Sequence, residues 1–322
     1  MKYNYIIKNI RYLTAEKLTF IYILITSLII LFTNNGTIVG NELLRARLII
    51  SCIIISMAFL NSYLDWWIIR ISRVVFLGVL LSYWYPETYE INRVLPNFDY
   101  LLANFEQYLF GFQPALVFSK CCNQHWFSEL MNMAYFSYYP LIIGTGLYFY
   151  FTNSKYFGLF FFTILFSFYS YYTIYVLFPT AGPQYYYYAI GINKVASGIF
   201  PDVLNYFNYN QTLLPHPSSS GFFFQLVEKS QLLGERPTAA FPSSHVGIST
   251  VIMIMIARYK RYFVFALLLP VYLLLVASTV YIQAHYLIDV VMGLVTAFIF
   301  CFSSIAIYKK INQPILFRYV RA

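Results

Sequence analysis

Long apolar runs recur along this chain, and they constrain its fold more than any other feature. We find eight, at about residues 18–33, 47–63, 67–86, 130–151, 156–178, 243–257, 262–282 and 286–308. A helix rises about 1.5 Å per residue, so crossing a bilayer takes about 20 residues. Only 10% of the residues are charged, against about 25% in soluble proteins. The runs therefore predict an all-α polytopic membrane protein with about eight transmembrane helices.

The distribution of polar residues divides the chain into predicted segments. We expect N-terminal transmembrane helices over 1–90 and an amphipathic interfacial segment over 91–128, where charged residues mix with Phe, Tyr and Leu. The transmembrane core is predicted over 129–308. It includes a long outer loop over 179–241, and a cytoplasmic tail is predicted at 309–322.

The basic residues predict how the chain is oriented. With a cytoplasmic N-terminus, 14 of the 21 Lys and Arg residues fall on the cytoplasmic side of the predicted spans and seven on the other side. Cytoplasmic loops carry an excess of these residues, so we expect both termini to be cytoplasmic, although Arg45 and Arg47 disagree. The same bias accounts for the net charge of +9, and we predict no nucleic-acid partner.

Two histidines stand at the ends of one predicted transmembrane hairpin. His245 closes the sequence F-P-S-S-H, and His285 lies in S-T-V-Y-I-Q-A-H-Y-L-I-D. Forty positions separate them, which is enough for one helix across the membrane and one back. We therefore expect both imidazoles at the same membrane face, which the charge distribution places on the non-cytoplasmic side.

The residues around these histidines suggest phosphoryl transfer. His285 and Asp289 are four apart at the start of a predicted helix and should share a face. The carboxylate could accept the proton-bearing nitrogen and leave the other as a nucleophile. His245 lies at a predicted helix start, where backbone N–H groups favour an anion and the Ser243 and Ser244 hydroxyls add donors. Alone, either histidine would be an ordinary interfacial residue, but such a set on one face indicates a site.

F-P-S-S-H followed by S-T-x5-H-Y-x2-D resembles the two histidine motifs of the type 2 phosphatidic acid phosphatase superfamily. It is most similar to the inositol phosphorylceramide synthase-like branch, because Thr279 stands where the ordinary lipid phosphatase motif has Arg, and Tyr286 follows the second histidine. The segments L-F-G-F-Q-P (109–114) and F-P-T-A-G-P (178–183) also look like that branch. The resemblance covers about residues 100–300 and implies a six-helix, phosphatase-like catalytic core.

The resemblance also implies roles for individual residues. His285 would attack phosphorus to form a phosphohistidine, Asp289 would orient it, and His245 would protonate the leaving group and then activate the acceptor. Ser243 matches the serine of the phosphatase P-S-G-H motif, and Ser244 replaces its glycine. Tyr286 is the tyrosine we expect closest to the phosphate. The resemblance implies metal independence, and we predict no cofactor and no metal site.

A basic motif precedes the first histidine. Lys229-x6-Arg236-Pro237 matches the superfamily's third motif, whose Lys and Arg hold phosphate oxygens. Only four residues separate Pro237 from Pro242, whereas the phosphatase pattern places this motif well upstream. Either the spacing is a coincidence, or the loop folds back so that Arg236 reaches the anion. In a rival arrangement, the loop at 178–183 takes the place of this motif.

The predicted function is that of a lipid phosphotransferase. It would move a phospho-headgroup such as phosphoinositol from a phospholipid donor to a lipid alcohol such as ceramide. The alternative is a lipid phosphate or polyprenyl pyrophosphate phosphatase that uses water at the same site. A transporter is disfavoured because its ionisable groups would lie at the midplane of the membrane.

Four consecutive tyrosines, residues 185–188, fit an interfacial belt better than headgroup recognition. The composition suggests a bacterial inner membrane, and the oligomeric state stays open.

Overall fold

The computed structural model describes residues 13–152, 154–215 and 221–312. Within those ranges all regular structure is helical, which confirms the predicted all-α class. Three N-terminal helices come first: α1 (Thr14–Thr33), α2 (Ile38–Leu64) and α3 (Trp67–Asn92). The middle of the chain forms α4 (Asp99–Phe110), α5 (Pro114–Cys121), α6 (His125–Phe136), α7 (Tyr138–Thr152) and α8 (Ser154–Leu177).

The remaining helices complete the membrane core and its outer cover. They are α9 (Pro183–Ile190), α10 (Ile192–Ala196), a 3-10 turn (Tyr206–Asn208), α11 (Phe222–Gly234), α12 (Ser244–Arg258), α13 (Tyr262–Tyr281) and α14 (Leu287–Asn312). About half of the described residues in the predicted loop at 179–241 are therefore helical. The part of the predicted tail beyond residue 312 lies outside the described residues.

Six described helices are long and apolar enough to cross a membrane: α1, α2, α3, α8, α13 and α14. The other two predicted spans correspond to shorter helices. The run at 130–151 is divided between α6 and α7 because Pro140 has no N–H to donate to the Phe136 carbonyl, and α6 ends at that residue. The run at 243–257 forms α12, which has 15 residues.

Two buried arginines are paired with glutamates inside the N-terminal helices. Arg47 begins the span predicted at 47–63, but α2 begins nine residues earlier, and the Arg47 Nη2 lies 2.8 Å from Glu87 Oε2 with both side chains buried. Arg73 Nη2 similarly lies 2.6 Å from the buried Glu16 Oε2. Arg47 and Arg73 are therefore compensated internally, and neither informs the count of loop charges that predicts orientation.

Helix α12 lies at the centre of the bundle and positions the first histidine motif. It packs against α7, α8, α13 and α14, and 11 of its 15 residues are buried. An apolar helix surrounded in this way needs no polar face. Close packing requires glycine at one crossing in particular, because a Cβ at Gly293 of α14 would lie 2.6 Å from the Ser243 carbonyl oxygen. Glycine at this position therefore allows the beginning of α12 to approach α14 closely.

The N-terminal helices attach to the core through α8 and the end of α3. Tyr22 of α1 stacks on Tyr169 of α8, with ring centroids 4.4 Å apart. The Asn92 amide nitrogen donates to the Tyr175 carbonyl oxygen and to Thr238 Oγ1, each at 2.7 Å. These contacts bring the last turns of α3 to the same end of the bundle as the beginnings of α12 and α14.

Candidate active site

The second histidine lies in the turn between α13 and α14. Its backbone N–H donates to the Thr279 carbonyl oxygen at 3.1 Å. Asp289 Oδ2 accepts the Tyr286 N–H at 2.8 Å, so Asp289 caps the first turn of α14. The prediction that His285 and Asp289 share a helix face is therefore wrong in detail, because His285 precedes the helix that Asp289 caps.

The hydrogen bond of His285 fixes its tautomer. Nδ1 lies 2.8 Å from the Ala240 carbonyl oxygen and 3.5 Å from Asp289 Oδ2. A carbonyl oxygen can only accept, so Nδ1 carries the proton, and in the neutral ring Nε2 keeps its lone pair. Burial lowers the pKa of the His285 imidazole to about 4, although the Ala240 carbonyl and Glu235 oppose that shift. The ring is therefore neutral at physiological pH.

The first histidine lies in the opening turn of α12 and faces the second. The ring centroids of His245 and His285 are 5.6 Å apart, so the two motifs meet as their spacing predicts. The His245 ring lies between Tyr135, at 4.6 Å, and Tyr138, at 4.3 Å. Its Nδ1 is buried without a hydrogen-bond partner among the described residues. Two aromatic rings thus pack against His245 while its Nδ1 has no hydrogen-bond partner among the described residues.

Both histidines line one small cavity at this end of the bundle. Its wall is formed by Tyr85, Tyr135, Ala181, Gln184, Tyr185, Glu235, Arg236, Thr238, Ala239, Ala240, His245, Ala284 and His285. Arg236 is part of this wall, and its Nη1 donates to the Glu235 carbonyl oxygen at 2.7 Å. Lys229, in α11, is exposed and is not part of this wall.

Three other predicted phosphate-binding residues do not line the cavity. Ser243 is the N-cap of α12, where its hydroxyl accepts the Val246 N–H at 3.3 Å. The buried Ser244 donates its backbone N–H to the Tyr175 hydroxyl at 3.0 Å. Tyr286 is fully buried, and its hydroxyl donates to Asp99 Oδ1 at 3.1 Å. In this structure these residues form hydrogen bonds with neighbouring protein groups.

The loop at 178–183 meets Arg236 at the cavity, so the two arrangements weighed from the sequence are compatible. Asp99 accepts the Ala181 and Gly182 N–H groups and holds this loop. Gly182 has φ +87°, and a Cβ there would lie 2.5 Å from the Ala284 carbonyl oxygen. The Ala240 N–H donates to the Thr180 carbonyl oxygen at 3.0 Å. The loop therefore connects the segments that carry the two histidines.

Several residues that form this site are not predicted from the sequence. Glu235 lines the cavity beside Arg236, and its carboxylate accepts hydrogen bonds from Tyr135 and Gln184. Glu106 is fully buried in α4, and its Oε1 accepts the Ile288 N–H at 2.9 Å. Of these residues, only Glu235 could have been identified from the sequence, because it lies inside the basic motif. Of the tyrosine run, Tyr185 lines the cavity, whereas residues 186 and 187 are fully buried.

Comparison with known proteins gives one match. A family model described as the PAP2 superfamily matches residues 101–302, well over half of the 322 residues. The match contains both histidines, Asp289 and Arg236, and it begins after α3. No curated protein and no solved structure matches the chain.

Proposed function

This chain belongs to the PAP2 superfamily, whose members are membrane phosphatases and phosphotransferases, and on that premise we propose that it transfers a phospho-headgroup between lipids. The donor is a phospholipid and the acceptor a lipid alcohol. Phosphoinositol as headgroup and ceramide as acceptor are the pair that the resemblance to the inositol phosphorylceramide synthase-like branch implies.

The observation that carries this proposal is the hydrogen bond from His285 Nδ1 to the Ala240 carbonyl oxygen, at 2.8 Å. It leaves Nε2 as the nucleophilic nitrogen of a neutral imidazole. His285 and His245 line the same cavity as Arg236. A nucleophile, a second imidazole for proton transfer and a guanidinium for phosphate oxygens therefore surround one volume, which is what phosphoryl transfer requires.

The first half-reaction forms a covalent intermediate. His285 Nε2 attacks phosphorus, the bond from phosphorus to the glycerol oxygen breaks, and His245 gives a proton to that oxygen, which releases diacylglycerol. Burial lowers the pKa of the His245 imidazole, so His245 takes up this proton from solvent as the phosphate anion binds beside it. The His285 ring now carries the headgroup phosphate and a positive charge. Asp289 Oδ2, 3.5 Å from Nδ1, stabilises that charge.

The second half-reaction returns the enzyme to its starting state. The acceptor hydroxyl attacks phosphorus, His245 takes its proton, and the phosphorus–nitrogen bond breaks. Through both steps Arg236 holds the non-bridging oxygens, on which charge accumulates in the transition state. It is the one Lys or Arg among the residues that line the cavity in the described part of the chain.

Two observations favour a lipid alcohol over water as acceptor. His285 is only 4% exposed, which limits the access of bulk water to the intermediate. Thr279, where the phosphatase motif has Arg, is fully buried and donates its hydroxyl to the Val276 carbonyl oxygen at 2.8 Å. It supplies no second cation for a free phosphate group.

Incubation of the purified protein with a headgroup-labelled phospholipid, with and without ceramide or diacylglycerol, tests this proposal. Transfer predicts that label enters a new lipid and that turnover needs the acceptor. Release of water-soluble headgroup phosphate at an undiminished rate without acceptor would establish a phosphatase instead.

The excess of basic residues on one side supports a non-cytoplasmic location for the cavity. Thiol labelling, in intact cells, of cysteines introduced beside the cavity would test this location.

A further inference from the structure

We propose that Glu235, together with Tyr85 and Tyr185, forms a subsite for the ammonium group of a zwitterionic phospholipid headgroup of the ethanolamine or choline type. This inference deepens the proposed function and rests on it. It assigns the headgroup by the charge and shape of the cavity, and it departs from the inositol headgroup that the family branch implies.

Glu235 is a carboxylate without a cationic hydrogen-bond partner among the described residues. Its Oε1 accepts from the Tyr135 hydroxyl at 3.1 Å, and its Oε2 accepts from the Gln184 amide at 3.0 Å. Arg236 is adjacent in sequence, but the contact recorded for its Nη1 is with the backbone carbonyl of Glu235. Burial raises the pKa of the Glu235 carboxyl, which means that the surrounding residues do not fully compensate its ionised form.

A phosphate in the same cavity makes this imbalance larger. The phosphodiester of a bound lipid is an anion, and Glu235 and both histidines line one small volume. Arg236 and protonated His245 act on the phosphate, and neither is hydrogen-bonded to the Glu235 carboxylate among the described residues. The two anions therefore repel each other in a poorly solvated site. An ethanolamine or choline headgroup carries a positive charge two carbon atoms from its phosphate oxygen. An inositol headgroup carries no positive charge and leaves Glu235 uncompensated.

The aromatic residues of the wall suit the same ligand. Tyr85, Tyr135 and Tyr185 line the cavity with Glu235, and an ammonium group is attracted to the faces of such rings. Tyr135 already stacks on His245, with ring centroids 4.6 Å apart. Tyr85 and Tyr185 are therefore the rings we assign to the ammonium group.

Through Tyr85, the N-terminal helices contribute a side chain to the cavity wall. Tyr85 belongs to α3, before the stretch that matches the family. The end of α3 is fixed by Asn92, which donates to the Tyr175 carbonyl oxygen and to Thr238 Oγ1. Glu87 of the same helix forms a buried ion pair with Arg47 of α2. This segment can therefore determine specificity while the matched core carries the chemistry.

The test measures the diacylglycerol that the purified full-length protein releases from each of four donors in detergent micelles, with ceramide present as acceptor. The donors are phosphatidylethanolamine, phosphatidylcholine, phosphatidylinositol and phosphatidylglycerol. The preference is the kcat/KM for the better zwitterionic lipid divided by that for phosphatidylinositol. We expect a preference of about tenfold or more, the size of a desolvated ammonium contact. Glu235→Gln should reduce this preference to near one, and Tyr85→Leu should lower the preference several-fold. Because it is a ratio, the preference does not depend on how much of a variant is folded.

Glu228→Gln is the matched control, because Glu228 is exposed on α11 and its removal should leave the preference unchanged. A wild-type preference for phosphatidylinositol, or an unchanged preference in Glu235→Gln, would overturn the ammonium subsite. Diacylglycerol from phosphatidylethanolamine alone would identify a primary ammonium, and from phosphatidylcholine a quaternary one. No diacylglycerol from any donor is a different result, because it refutes the proposed function itself and this inference with it.

Discussion

His285 and Ala240 are joined by a hydrogen bond of 2.8 Å between the imidazole Nδ1 and a backbone carbonyl oxygen. Ala240 lies just before α12, which carries His245, so this contact links the two histidine segments directly. The tautomer of His285 is thereby set by the backbone, and Asp289, 3.5 Å from Nδ1, is left to act through its charge.

Asp289→Asn should lower kcat while leaving the fold intact. The asparagine oxygen can still accept the Tyr286 N–H that Asp289 accepts at 2.8 Å, so the cap of α14 remains. The charge that balances a cationic phosphohistidine is lost. We expect kcat to fall about 10–100-fold, with a melting temperature close to that of the wild type. A loss of less than twofold would show that Asp289 has only a structural role.

Arg236 and Lys229 form a matched pair, because the sequence assigned both to phosphate and the structure places only Arg236 at the cavity. Arg236→Ala should reduce kcat/KM about 10²–10³-fold, and Arg236→Lys should recover part of the loss. Lys229→Ala should change it by less than about threefold, as expected for an exposed cation. Equal losses in the two alanine variants would contradict the geometry described here.

Tyr286→Phe tests whether that tyrosine binds phosphate. Its hydroxyl is fully buried and donates to Asp99 Oδ1 at 3.1 Å, so its removal should weaken the loop that Asp99 holds. A hydrogen bond to a charged group contributes about 1.5–3 kcal/mol to stability. We expect a lower melting temperature and a change in kcat/KM of less than about tenfold. A large kinetic loss at unchanged melting temperature would restore the phosphate-binding role.

Glu106 should make the stability of the protein depend on pH. Burial raises the pKa of this carboxyl from 4.5 to about 7. Between these values the folded state keeps a proton that the unfolded state releases, so stability falls as pH rises through this window. The full loss is on the order of 3 kcal/mol.

Glu106→Gln removes the titration and keeps an acceptor for the Ile288 N–H, which Glu106 accepts at 2.9 Å. The melting temperature of this variant relative to the wild type should therefore rise steadily between pH 4.5 and about 7. The comparison is made in one detergent by thermal scans at each pH. A difference that stays constant over this range would contradict the assignment.

The sequence predicted the helical class and the meeting of His245 with His285, because apolar runs and helix length determine both. It did not predict Ala240 as the partner of His285, since a backbone carbonyl has no sequence signature. The sequence did not predict that Lys229 lies outside the cavity wall, because the spacing of a motif does not show which side chains of α11 face the cavity. Glu235 was not predicted, because a carboxylate is unexpected in a site proposed to bind phosphate.

The most direct test of the account is to find the covalent intermediate on His285. A phospholipid labelled in its headgroup phosphate is mixed with the purified protein without acceptor, and the reaction is stopped with base, in which a phosphohistidine survives. Peptide mapping should place the label on His285, in amounts approaching one per active site, and the His285→Ala variant should carry none. Label on another residue, or undiminished lipid turnover in His285→Ala, would contradict the account.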